Sequence, residues 1–102
     1  MKEEKEWKEW ITRSLTIDEM VNLGPSFVKH ICIVASTGGA ATTLVYDGID
    51  TNGKLTLALS AIASTHFSDQ FSIPVFFSNG IFVDIGSNVT LFVIQFKSAE
   101  EK

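Results

Sequence analysis

The chain has 102 residues and carries 8 Lys and Arg against 12 Asp and Glu, so its formal net charge is −4. This length fits a single domain. The acidic balance argues against a protein that binds the phosphate backbone of nucleic acids, because such proteins usually carry a basic patch. The single cysteine, Cys32, excludes an intramolecular disulfide and a zinc site built from cysteines.

The first ten residues, MKEEKEWKEW, are charged where a secretion signal would have its apolar segment. No apolar run in the sequence reaches the roughly 18 residues that a membrane-spanning helix needs. We therefore expect a protein that is made in a cytoplasm-like environment and has neither a membrane nor a nucleic acid as its partner.

Charged residues are concentrated near the two ends of the chain. Residues 2–9 hold seven of them and residues 97–102 hold four, whereas the 73 residues from Gly24 to Phe96 hold six. The same 73 residues include 15 Ser or Thr and eight Phe. Protein interfaces are depleted in charge and enriched in aromatic side chains at their centre. The pattern favours a domain that other subunits cover; the alternative is a hydroxyl-rich surface on a monomeric β domain.

The N-terminal segment predicts a short helix over residues 2–13. Lys and Glu favour helices, and Trp7, Trp10 and Ile11 would share one helical face. Together with Leu15 they are the candidate partner-contact residues, because large aromatic side chains on a strongly hydrated segment are typical of interaction hot spots. The alternative is that this apolar face packs on the domain's own sheet.

A second, brief helical turn is predicted directly after this segment. Thr16 and Glu19 have the spacing of a capping box, which marks the start of a helix. Gly24 and Pro25 would end the turn, because Gly supplies a left-handed cap and Pro cannot continue a helix.

From Pro25 onward apolar residues follow the period of two that is typical of strands. Six strands are predicted, over Ser26–Ser36, Thr42–Tyr46, Lys54–Ile62, Phe71–Phe77, Ile81–Ile85 and Val89–Phe96. Pro74 predicts that its strand lies at a sheet edge or contains a bulge. The sequence therefore predicts a mainly β protein: an antiparallel β-sandwich or small jelly-roll-like barrel of about six strands, with a short N-terminal helical arm.

Two loops resemble ligand-binding motifs but lack parts of them. The run STGG at residues 36–39 has no P-loop lysine and leads into a strand, so we interpret it as a turn. Asp47, Asp50 and Asn52 resemble part of a calcium loop, but Gly48 and Leu59 stand where an EF-hand needs its first acid and its final Glu. Turns stabilised by their own side chains are the favoured interpretation, and a weak cation site is the alternative.

His30, Cys32 and His66 could hold a metal ion or form a Cys-His catalytic pair. His30 and Cys32 are two residues apart on a predicted strand and so share a face. A third ligand would have to come from a distant loop, and a lone cysteine is most often a small buried hydrophobic residue. We therefore expect no catalytic residue, no metal and no cofactor.

The central part of the chain contains YDG at residues 46–48, NGK at 52–54 and GIFVDIGSNVT at 80–90. In these runs, residues 27–96 resemble small accessory virion proteins of tailed bacteriophages, in which a Gly-[Ile/Leu]-[Phe/Tyr]-Val-Asp strand recurs in compact β-sandwich modules. The resemblance implies a capsid decoration protein, a head-fibre base or a tail-associated protein, and it implies no catalytic residues.

These observations divide the chain into a charged N-terminal arm (1–23), a β-sandwich domain (24–97) and a charged C-terminal tail (98–102). The expected function is that of a structural virion assembly protein. It would self-associate, for instance as a trimer, and bind major capsid or tail proteins in the virion. The alternative is a stand-alone ligand- or carbohydrate-binding β-sandwich that uses Tyr46, Asp47 and Asp50. Neither function is enzymatic.

Overall fold

A computed structural model describes residues 10–99. The described residues form eight β-strands and no helix. In chain order the strands are β1 (Ile11–Leu15), β2 (Glu19–Leu23), β3 (Ser26–Ala35), β4 (Ala41–Asp47), β5 (Lys54–Ala61), β6 (His66–Phe77), β7 (Gly80–Ile85) and β8 (Val89–Ser98).

The strands form two antiparallel sheets of four. Sheet A has the order β1-β8-β3-β6, and sheet B has the order β2-β7-β4-β5. β4 pairs with β5, β3 with β6, β2 with β7, and β1 with β8. The four pairs, which we call layers, are therefore nested as in one long hairpin whose tip is the connection between β4 and β5. Successive layers alternate between the sheets, which is the strand order of an eight-stranded jelly roll. The predicted antiparallel sandwich is confirmed, with eight strands instead of about six.

The core lies between the sheets and uses alternate residues of most strands, whereas β6 has one buried side chain, Phe77. In β3, Val28, Ile31 and Ile33 face the core and are buried. Cys32 and Val34 point to the opposite side of sheet A and are half-buried. The largest fully buried side chains are Phe77, Phe92, Ile33, Ile81 and Ile94. The alternation therefore fills the core and also leaves apolar side chains on the outside of sheet A.

The N-terminal helix predicted over residues 2–13 is wrong in the part that the structure describes. Ile11–Leu15 is β1, and it pairs with β8 so that Leu15 lies opposite Phe92. This pairing completes the edge of β8 and buries Leu15, and these gains exceed the few tenths of a kcal/mol by which helix preferences typically differ. Residues 2–9, which include Trp7, lie outside the described residues.

The helical turn predicted after Thr16 is also wrong, because Glu19–Leu23 is β2. Glu19 does not cap a helix; its carboxylate pairs with the guanidinium of Arg13. Asp18 accepts a hydrogen bond from the backbone N–H of Ile85 at 2.8 Å. The residues that resemble a capping box therefore stabilise the corner between two strands of different sheets.

The six predicted strands correspond to β3–β8, although β6 begins at His66 instead of Phe71. β6 lies at the edge of sheet A, and its register with β3 shifts. Val75 lies opposite Val28, and Gln70 lies opposite His30, so β6 has four residues where β3 has one. These four residues include Pro74, which has no N–H to donate to a neighbouring strand. The prediction that the strand of Pro74 lies at a sheet edge or contains a bulge is confirmed, and the structure shows both.

Candidate interaction surface

Trp10 lies on the outer side of sheet A, where two lysines approach its ring. The Nζ atom of Lys29 is 5.1 Å and that of Lys97 is 4.9 Å from the ring centroid. Both distances are within the range of cation–π interactions, each worth about 0.5–1 kcal/mol at an exposed site. The two contacts fix the start of the described chain against β3 and β8.

The other candidate partner-contact residues have different environments. Ile11, at the start of β1, is 48% exposed. Leu15 is 2% exposed and belongs to the domain's own core. Trp7 lies outside the described residues. The structure thus places Trp10 and Ile11 at the same end of sheet A and Leu15 inside the sandwich, and partner contact by these residues stays a prediction.

The outer face of sheet A contains a patch without charged residues, which we call the uncharged patch. Its apolar centre consists of two directly opposed pairs, Cys32 with Val93 and Val34 with Leu91, on the two central strands. Paired residues of antiparallel strands point to the same side of a sheet. The polar residues that surround this centre are Thr12, Ser14, His30, His66, Ser68, Gln70 and Gln95.

Lysines occur on this face beside Trp10, at one end of the uncharged patch. Lys97 lies in the row next to the patch, opposite Phe27, and Lys29 lies in the bulge of β3. Phe27 also packs against Phe76 of β6, with ring centroids 5.2 Å apart. The outer face of sheet A is therefore cationic and aromatic at the Trp10 end and uncharged over the rows of the uncharged patch.

The outer face of sheet B carries a row of large side chains, one from each strand. Met20 lies opposite Phe82, Phe82 opposite Tyr46, and Tyr46 opposite Leu55. Leu55 is 49% exposed, and the other three side chains are half-buried. The next residue of β7 on this face is Asp84, so the apolar row has a carboxylate beside it.

Asp47, at the end of β4, holds together the loops at one end of the sandwich. Its carboxylate accepts hydrogen bonds from the N–H and O–H of Ser78 at 3.0 and 3.1 Å and from the N–H of Asn79 at 2.7 Å. Partial burial raises the pKa of Asp47, but these bonds and one from the backbone of Gly80 outweigh it and hold the pKa below its usual value. The carboxylate fastens the turn between β6 and β7 to β4, which leaves it little capacity for a ligand.

The other loops with ligand-like sequences are local turns. Oδ1 of Asp50 accepts a hydrogen bond from the backbone N–H of Asn52 at 2.9 Å, which is an Asx turn. Oγ of Ser36 accepts one from the N–H of Gly38 at 3.1 Å, within the connection between β3 and β4. Among residues 10–99, no group of three or more His, Cys, Asp or Glu is arranged to hold a metal ion.

The uncharged patch itself was missed by sequence reasoning. Its residues come from β1, β3, β6 and β8, and strands so distant in the sequence become neighbours only through the jelly-roll order. One signal was present in the sequence: toward its end, the segment Ser26–Ser36 has apolar residues on both of its alternating sides, which is typical of a strand covered on both faces.

No protein-family model matches the chain, and no curated protein matches it significantly. In the part of the chain that the structure describes, no helix is long and apolar enough to cross a membrane.

Proposed function

We propose that the chain is a structural assembly protein of a phage virion, which self-associates and binds a capsid or tail surface. The observation that carries this proposal is the composition of the domain's surface. Residues 10–99 hold ten charged residues, or one in nine, whereas about one residue in four is charged in ordinary soluble domains. In the same residues nine large hydrophobic side chains are exposed, among them Ile73 at 82%. Such a surface is typical of a domain that other subunits cover.

The fold is compatible with this proposal but does not select it. Jelly rolls occur in viral capsid proteins and also in lectins and other families, and a fold by itself does not define a function. The resemblance of residues 27–96 to accessory virion proteins of tailed bacteriophages favours the assembly function over the others.

The alternative function, binding of a carbohydrate or another small ligand, has less support from the loop geometry. Of the three residues that it would use, Asp47 is bonded to the turn at Ser78 and Asp50 stabilises its own loop. Tyr46 lies in the apolar row of sheet B beside Phe82. The carboxylates of Asp47 and Asp50 therefore both take part in hydrogen bonds within the domain.

The contribution of the N-terminal arm is tested by the double variant Trp7→Ala/Trp10→Ala in the full chain. Each tryptophan offers about 150–250 Å² of surface for burial. At about 25 cal/mol per Å², the pair could contribute several kcal/mol to the free energy of association, before the cost of ordering the side chains is subtracted. If the arm anchors a neighbouring subunit, the variant should assemble at least about tenfold more weakly, which requires roughly 1.4 kcal/mol. Solution mass and melting temperature are measured on the same samples.

The single variant Trp10→Ala is the matched control, because it removes the contacts with Lys29 and Lys97 and keeps Trp7. A lower melting temperature with unchanged assembly in the double variant would contradict a role of the arm in assembly.

Mass spectrometry of purified particles of the encoding phage tests the localisation. We expect this chain in many copies per particle, and its absence from the particles would contradict a virion function.

A further inference from the structure

We propose that the uncharged patch on the outer face of sheet A is the self-association surface, and that it binds the same patch of a second copy of this chain. This inference rests on the proposed function, since it names the surface through which the chain associates with itself.

The composition of the patch is that of an interface. Its centre consists of four apolar residues on the two central strands, including the opposed pair Cys32 and Val93. Hydroxyl, amide and imidazole groups surround this centre, and Asp, Glu, Lys and Arg are missing from the eleven residues of the patch. The open face of an antiparallel sheet in water normally carries polar and charged side chains on alternate positions, whereas interfaces have an apolar centre, a polar rim and little charge.

A second copy fits this patch chemically. Hydroxyl and amide groups each donate and accept hydrogen bonds, so two identical rims can pair with each other. The rim has no carboxylate or ammonium group that would repel its copy or require a partner of opposite charge. The outer face of sheet B is less suited to self-pairing, because Asp84 lies beside its apolar row and two copies would bring like charges together.

The size of the face also fits. Four strands spaced about 4.8 Å apart and the five residues from His30 to Val34 give the uncharged patch a size of about 19 by 17 Å. Two copies that pair over the patch alone would bury about 650 Å² in total, and the adjoining row at Phe27 extends the paired face to about 19 by 27 Å, or about 1,000 Å² in total, which is the lower limit of specific interfaces. In a two-fold arrangement centred near Cys32, the cationic ends with Lys29 and Lys97 would lie at opposite ends of the dimer, so the lysines would not face each other.

Cys32 provides a reporter for this arrangement. It is half-buried at the centre of the patch and is the single cysteine of the chain. A second copy on the patch would cover its thiol, so its reaction with a thiol reagent should slow as the protein concentration rises. No change of sequence is needed for this measurement.

The decisive variant is Val93→Lys, which places a charge at the centre of the patch. The matched control is Ala58→Lys, because Ala58 is exposed on the outer face of sheet B. Sedimentation velocity over a concentration series and the reaction rate of Cys32 are measured for both variants and the wild type. We expect wild type and Ala58→Lys to associate alike and to protect Cys32. Val93→Lys should associate at least tenfold more weakly, and the protection of its Cys32 should begin only at a correspondingly higher protein concentration.

Association of Val93→Lys at the wild-type strength would overturn the assignment of this face while leaving self-association intact. A wild type that is monomeric at every concentration would overturn both the assignment and the self-association in the proposed function. If circular dichroism shows that Val93→Lys is unfolded, Ser14→Lys replaces it, because Ser14 is exposed on the rim at β1. Wild-type association of a folded Ser14→Lys variant would then contradict the assignment.

Discussion

Replacing Asp47 by Asn should destabilise the sandwich, because the Asp47 carboxylate joins β4 to the turn between β6 and β7. Three hydrogen bonds from Ser78 and Asn79 end on this carboxylate. Hydrogen bonds to charged groups contribute about 1.5–3 kcal/mol each when well formed, and the amide of Asn keeps one oxygen acceptor. At this partly exposed position we expect the free energy of unfolding to fall by about 2 kcal/mol, which corresponds to a fall in melting temperature of about 8–16 °C.

The pH dependence of the Asp47→Asn effect makes the test specific. The pKa of Asp47 in the folded protein lies below its ordinary value of 3.8. The ionised carboxylate therefore stabilises the fold fully above that ordinary value, and this stabilisation is lost as the pH falls through the lower folded pKa. Thermal unfolding followed by circular dichroism should show the largest difference between wild type and variant at pH 7. The difference should narrow below about pH 4, because Asn does not titrate in this range.

Asp50→Asn is the matched control for this experiment, since Asp50 accepts one hydrogen bond within its own exposed loop. It should change the melting temperature by less than a quarter of the Asp47→Asn effect. Equal effects of the two variants, or a difference between wild type and Asp47→Asn that stays constant down to pH 2, would refute the role assigned to Asp47.

Two further substitutions test the core and a turn. Thr43 is fully buried in β4, and among residues 10–99 its hydroxyl has no hydrogen-bond partner. Thr43→Val should therefore stabilise the protein by about 1 kcal/mol in urea unfolding, whereas Thr43→Ala should destabilise it by leaving a cavity. Gly80 has a φ of +149°, and a Cβ there would lie 2.9 Å from the carbonyl oxygen of Asn22. Gly80→Ala should therefore lower the free energy of unfolding by about 2 kcal/mol or more in the same assay.

Strands β3–β5, β7 and β8, and the part of β6 from Phe71 onward, could be predicted because their evidence is local. Each has a period of two, bounded by turn residues such as Asn52-Gly53, and Pro74 marks an edge through its own missing N–H. β1 could not be predicted in the same way. Ile11 and Leu15 have both the i,i+4 spacing of a helix and the alternation of a strand, and five residues are too few to distinguish them. The segment forms a strand because it pairs with the edge of β8, which lies about 80 residues away in the sequence.

The sequence composition indicated that the domain has an interaction surface, but it did not locate this surface. The low charge between Gly24 and Phe96 indicated a covered domain, but it did not show which face is covered. Placing Cys32 opposite Val93 requires the pairing of β3 with β8, and placing both beside Ser14 requires β1 as the next strand. These neighbours are set by the strand order, which no local pattern encodes.

The proposal that the chain self-associates is tested by the solution mass of the full chain, measured by light scattering during size-exclusion chromatography over a concentration series. A surface with ten charged residues and nine exposed large hydrophobic side chains in residues 10–99 predicts a dimer or larger assembly at micromolar concentration. A mass equal to the 11.2 kDa monomer at every concentration, with no assembly when phage capsid or tail proteins are added, would contradict the claim.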